Sequence, residues 1–199
     1  MIRYLIIIIG ITFSISGFSQ INFTPDSDRV LLFSELTKNI KTLDSGSYNF
    51  QYRVWCEYGY SIPQEYSLFV LTQKDESCYW QIYRTRNLEI AMGDIKEDTL
   101  HSKLFLIDAG KINHRAYIKY FVKNNFQSLP SEDSLRGFKN SNVFISDCAK
   151  YYFELITKNK YRSYEYYCPR LYYNYFQNIP EFKCVNNILK FIDKKNKHN

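Results

Sequence analysis

Histidine is nearly absent from this chain, glycine and proline are sparse, and no long apolar run occurs after residue 20. Each shortage removes a class of function. Three His, at positions 101, 114 and 198, leave little material for imidazole acid/base catalysis. The seven Gly form no phosphate-cradling loop, and neither a G-x-S-x-G elbow nor an H-E-x-x-H pair is present. No two Cys stand in a C-x-x-C spacing and none has a His close by, which argues against a zinc site. Every apolar stretch after residue 20 is interrupted by a charged residue within a few positions, so no transmembrane segment is expected in a mature chain. Charge of one sign is in only modest excess: 26 basic against 20 acidic residues give +6. That balance does not suggest nucleic acid as a partner, and no motif calls for a cofactor.

What is present begins with the start of the chain. Residues 1–19 have the parts of a cleavable secretory signal: Arg3 near the start, an apolar run over 5–13, then Ser14, Ser16, Gly17 and Ser19. The run is shorter than the roughly 20 apolar residues that span a bilayer, so cleavage near Gln20 is expected rather than anchoring. No Cys sits there to carry a lipid. Cleavage removes Arg3 and leaves 25 − 20 = +5. Residues 20–193 suit one domain, with 194–199, including Lys194, Lys195 and Lys197, expected as a basic disordered tail. A composition of 45% hydrophobic and 23% charged residues is that of a folded chain. Aromatic residues reach 18%, with 19 Tyr; Ile, Lys, Asn, Tyr and Phe share A/T-rich codons, which accounts for part of that excess.

Hydrophobic periodicity gives the organisation. Asp26, Ser27 and Asp28 offer capping oxygens ahead of Phe33, Leu36, Ile40 and Leu43, a helical spacing that ends near residues 44–46. Period-two alternation over 48–58 predicts a strand, and 66–71 and 78–83 two more, joined as an antiparallel meander. Residues 88–92 are a candidate fourth strand, and Asp94 with Glu97 resembles a capping box for a helix from Ile95. Tyr117, Ile118, Phe121 and Val122 recur at helical spacing, and 127–142 reads as a loop. Residues 151–157 and 161–167 form a hairpin about Lys158, Asn159 and Lys160. A closing helix starts after Pro180 and carries Val185, Ile188, Leu189 and Ile192. The fold class is α+β with a mainly antiparallel sheet.

Five Cys in an oxidising compartment allow two disulfides at most. The hairpin places position 148 opposite roughly 169, so Cys148 can approach Cys168. Cys184, early in the closing helix, competes for the same partner, and the reading leans to Cys168 with Cys184. Cys56 and Cys78 fall near opposite ends of the meander and are expected to stay unpaired unless the meander is wrong.

Two constellations are candidates for function. Asp94, Glu97, Asp98 and His101 share one face if that stretch is helical, and could hold a metal or share a proton; acidic side chains complementing a helix dipole explain them more simply. The second is the hairpin, where Tyr161, Arg162, Tyr164, Tyr166, Tyr167 and Arg170 cluster. Exposed Tyr beside Arg suits a protein hot spot or a sugar-stacking surface, whereas core packing is the plainer use of strand Tyr. The expectation is an exported, periplasmic or secreted, non-enzymatic module that binds a protein or glycan through an open aromatic face. The alternative is a small extracytoplasmic hydrolase near Asp94 and His101 or at a free Cys. Processing is tested first: mass spectrometry should find a mature N-terminus close to Gln20, and an intact Met1 in the membrane fraction would refute the signal reading.

Overall fold

The computed structural model describes residues 24, 25, 48–59, 65–86, 103–138, 143 and 145–197. The signal segment, the helix expected over 26–44, the strand expected over 88–92, the helix expected from Ile95 and His198 lie outside them. Six strands form one antiparallel sheet: β1 (Phe50–Glu57), β2 (Tyr66–Lys74), β3 (Ser77–Arg86), β4 (Lys103–Ile112), β5 (Lys150–Thr157) and β6 (Tyr161–Tyr167), in the order β4-β3-β2-β1-β5-β6. Among the described residues three α-helices accompany it: α1 (His114–Tyr120), α2 (Pro169–Tyr175) and α3 (Pro180–Asn196). The fold is therefore α+β, with the C-terminal helix closing it.

The meander and the hairpin follow from alternation and turn chemistry. Lys74 pairs with Ser77, and Asp75 takes a left-handed φ of 53° in the two-residue turn between them. Thr157 and Lys160 close the β5–β6 turn, with the Thr157 N–H donating to the Lys160 carbonyl at 2.9 Å. β4 escapes the sequence pattern. Its apolar residues Leu104, Phe105, Leu106 and Ile107 run consecutively without a period, and the pairing slips between Ile82 and Tyr83, which face Asp108 and Leu106 and leave Ile107 as the extra residue of a bulge. Opposite Trp80 sits Gly110, where a Cβ would meet the indole at 3.0 Å, so any larger residue would require that ring to shift.

One sheet face carries the helices. Phe50, Tyr52, Val54, Phe69, Leu71, Trp80, Ile82, Phe153, Leu155, Tyr164 and Tyr166 pack there against Tyr117 and Phe121 of the α1 region, Phe126, and the apolar face of α3. Along α3 that face is Phe182, Val185, Ile188, Leu189, Phe191 and Ile192, at the expected spacing of three and four. The opposite face is buried at its centre, where Trp55, Leu68, Val70 and Tyr83 form a second cluster with Gln51, Arg53 and Glu154 beside it, and open towards β4, where Tyr79 and Leu106 are exposed. Several of its polar groups pair. Trp55 Nε1 donates to Glu154 Oε2 at 2.8 Å, Tyr161 donates to Glu154 Oε1 at 3.1 Å, and Arg53 Nε donates to Gln51 Oε1 at 3.0 Å.

Three details differ from the sequence reading. The disulfide joins Cys148 to Cys168, not Cys168 to Cys184, with Cα atoms 5.4 Å apart. The hairpin register decides this: Lys150 pairs with Tyr167 and the Cys168 N–H donates to the Ala149 carbonyl, so the two Cys flank the open end of the hairpin. Cys56, Cys78 and Cys184 are not disulfide-bonded. The second difference is α2, unforeseen, which Pro169 opens at its first position. Thirdly, the expected disordered tail starts inside α3. Lys194 and Lys195 occupy its last turn, where they complement the dipole, and Lys195 Nζ lies 4.9 Å from the Trp80 ring. Replacing Cys148 and Cys168 together by Ser removes a cross-link of sequence separation 20. Urea denaturation should then show a loss of about 3 kcal/mol, whereas Cys184→Ser should leave the midpoint nearly unchanged.

Candidate functional site

The hairpin tyrosines are core. Tyr164 is 3% exposed, Tyr166 0% and Tyr161 4%, so the open aromatic face expected of this strand is absent. Tyr164 and Tyr166 point to the helix layer, and Tyr161 packs on the opposite face with Tyr48 and Ile156. The hydroxyls show how so many Tyr are accommodated. Tyr164 donates to the Phe126 carbonyl at 2.9 Å and lies 2.9 Å from the Tyr52 hydroxyl; the buried Tyr166 hydroxyl has no hydrogen-bond partner. Tyr167 is half-buried, its hydroxyl accepting the Cys148 N–H at 3.3 Å. Arg162 donates to the Gln127 carbonyl and, at 2.7 Å, to the Leu129 carbonyl, with its guanidinium over the Tyr164 ring. It fastens residues 126–135 along the sheet edge rather than facing solvent. Arg170 alone of the six remains exposed, and it pairs with Asp193 at 2.7 Å.

Asp94, Glu97, Asp98 and His101 lie outside the described residues. His114 is exposed at the start of α1. Among the described residues no three His, Cys, Asp or Glu gather as metal ligands would.

One pocket among the described residues lies where β1, β2, β3 and β5 meet α2 and the end of α3. Register makes it. Cys56 pairs with Ser67 on one side and Tyr151 on the other, and all three face the helix layer beside Tyr58, Arg170 and Asp193. Its volume is about 30 Å³, room for a water molecule but not for an organic substrate. Tyr58 and Ser67 hydroxyls lie 3.2 Å apart, and Asp193 is engaged by Arg170. Burial pushes the Cys56 thiol up to about 11, against the smaller opposing pull of the Tyr151 and Tyr58 hydroxyls and Arg170. At neutral pH it is a protonated thiol and hence a weak nucleophile. The pocket's size and its neutral thiol do not suit catalysis.

One surface feature went unread in the sequence. Leu171 and Tyr175, 44% and 66% exposed, stand one turn apart on α2. Asn174, Gln177 and Asn178 are exposed around them. Pro169 signals a helix start there, and the spacing of four then places both side chains on one face. No family model, curated protein or solved structure matches the chain.

The state of the thiols can be checked directly. Alkylation of the native protein at neutral pH should modify the half-buried Cys184 first, and Cys56 and Cys78 only on unfolding, because burial raises Cys56 to about 11 and Cys78 to about 12. Rapid labelling of Cys56 would show an activated thiol and revive the catalytic reading.

Proposed function

We propose that this chain is an exported, non-enzymatic binding module whose contact surface is centred on α2, with a protein as its partner. The observation that carries the reading is the Leu171 and Tyr175 pair, an apolar centre rimmed by Asn174, Gln177, Asn178 and Arg170. An exposed aromatic and an aliphatic side chain held on a rigid helix, within a polar rim, have the make-up of a protein hot spot. A glycan is less well served, since Leu171 offers a branched aliphatic group where a sugar face would stack on a second ring. Arg170 is shared with the surface expected from the hairpin; the aromatic component is displaced to the helix that follows it.

Export is supported by the signal-like start and by the disulfide, which persists in oxidising compartments. No helix among the described residues is long and apolar enough to cross a membrane. The disulfide also fixes α2, because Cys168 is the residue immediately before it. A docking helix held this way loses little freedom on binding.

The test is capture from native envelope or culture medium with the mature protein, compared with the Leu171→Ala/Tyr175→Ala variant. The variant should keep the circular dichroism spectrum and melting temperature of the wild type. It should lose about 1 to 3 kcal/mol of partner affinity, roughly tenfold or more in dissociation constant. A partner bound equally by both proteins would place the contact surface elsewhere.

A further inference from the structure

β6 is the last strand of the sheet, and its outward N–H groups would be open to pairing. Two of them, at the end of the strand, are taken up by side chains. The Glu165 N–H donates to Ser131 Oγ at 3.3 Å and the Tyr167 N–H donates to Glu132 Oε2 at 3.0 Å. Residues 126–135 thus act as a strap, tied near its start by Arg162 and Tyr164 through the Gln127, Leu129 and Phe126 carbonyls. The two ties at Ser131 and Glu132 hold its other end. Only Glu132 brings a charge into that contact.

The charges facing Glu132 are mostly of its own sign. Asp133 adjoins it on the strap, Glu165 approaches from β6, and the Tyr166 and Tyr172 hydroxyls are near enough to feel its charge. Among the described residues Lys150 is the cation that acts on it, and Lys150 is bridged to Glu165 at 3.0 Å. We propose that Glu132 is a pH-sensitive latch, which holds the strap on the β6 edge when protonated and releases it when ionised.

Burial, foremost, and repulsion from Asp133 and Glu165 push Glu132 up to about 7, against the pull of the Tyr167 N–H and Lys150. The sign follows from linkage. A carboxyl held higher in the closed form than its free value of 4.5 favours closure fully below that value. The contribution is lost as pH rises through about 7. A released strap bares the Glu165 and Tyr167 amides next to the Cys148–Cys168 bridge.

Hydrogen exchange of the mature protein, corrected for intrinsic rates, tests this at about pH 5.5 and about pH 8.5. Protection of the Tyr167 amide should fall by about tenfold or more at the higher pH, while Trp55 in the central strand stays unchanged. Glu132→Gln keeps the acceptor oxygen but cannot ionise, and should remain protected at both values. Glu165→Gln removes a repelling charge and frees Lys150 to stabilise the carboxylate, so it should move the transition to lower pH and leave a smaller fall in Tyr167 protection between the two values. Equal protection of Tyr167 in the wild type at both values would overturn the proposal. So would an equal fall in Glu132→Gln, or a parallel fall at Trp55 that marks global opening. Should Glu132→Gln not fold, the wild-type and Glu165→Gln comparison decides.

Discussion

Strand β1 is paired along its whole length with β2 on one side and β5 on the other, and its residues from Phe50 to Cys56 are all buried. A strand in that position has no solvent face. Its odd and even side chains must both find a packed layer, and whatever polar groups they bring must be satisfied inside the protein. On the helix face the demand is met by rings: Tyr52 lies among Phe121, Phe126 and Phe153 at centroid distances of 6.0, 5.1 and 6.1 Å. On the other face it is met by a polar group of Gln51, Arg53, Trp55 and Glu154, in which a fully buried carboxylate collects an indole and a phenol. Such a group stabilises only as a complete set, since removal of one member strands the others away from water.

The abundance of Tyr follows from the same constraint. A tyrosine buries a large ring while its hydroxyl reaches a neighbouring acceptor, so it can fill a strand position near loops where Phe would leave a carbonyl unmet. Tyr164 does this with the Phe126 carbonyl and Tyr161 with Glu154. Packing has consumed most of the aromatic density, and the large apolar side chains left exposed among the described residues sit on scattered elements: Tyr58 after β1, Tyr79 on β3, Leu106 on β4, and Leu171 and Tyr175 on α2. The short helix α2 is one of these, fixed at its start by the disulfide.

The two edges of the sheet are blunted by different means. At β6 a strap of non-strand chain supplies side-chain acceptors to the outward amides. At β4 the bulge disrupts the edge, and Asp108 Oδ1 accepts the Ala109 N–H at 2.7 Å. The connection from β4 back to the interior strand β5 crosses the helix face through α1 before it reaches the strap, which ties the two distant edges into one core. Contacts of that kind are far apart in sequence and cost loop-closure entropy to form.

Local chemistry determined the α+β class, the β1–β3 meander, the hairpin with its turn at Lys158 and Asn159, and the apolar face of α3, because periodicity and turn residues act over a few positions. The same hairpin register already set position 148 against roughly 169. It could not exclude Cys184, whose distance depends on how α2 and the following loop set the start of α3. β4 was hidden because a bulge erases the alternation by which a strand is recognised. Whether Tyr164 and Tyr166 faced solvent was likewise undetermined, since alternation says which side chains share a face but not whether another layer covers that face. The pocket at Cys56 joins residues from six separate elements, and Glu132 meets Tyr167 across 35 positions. Only tertiary packing decides such neighbours, because no local preference records which distant segments will lie side by side.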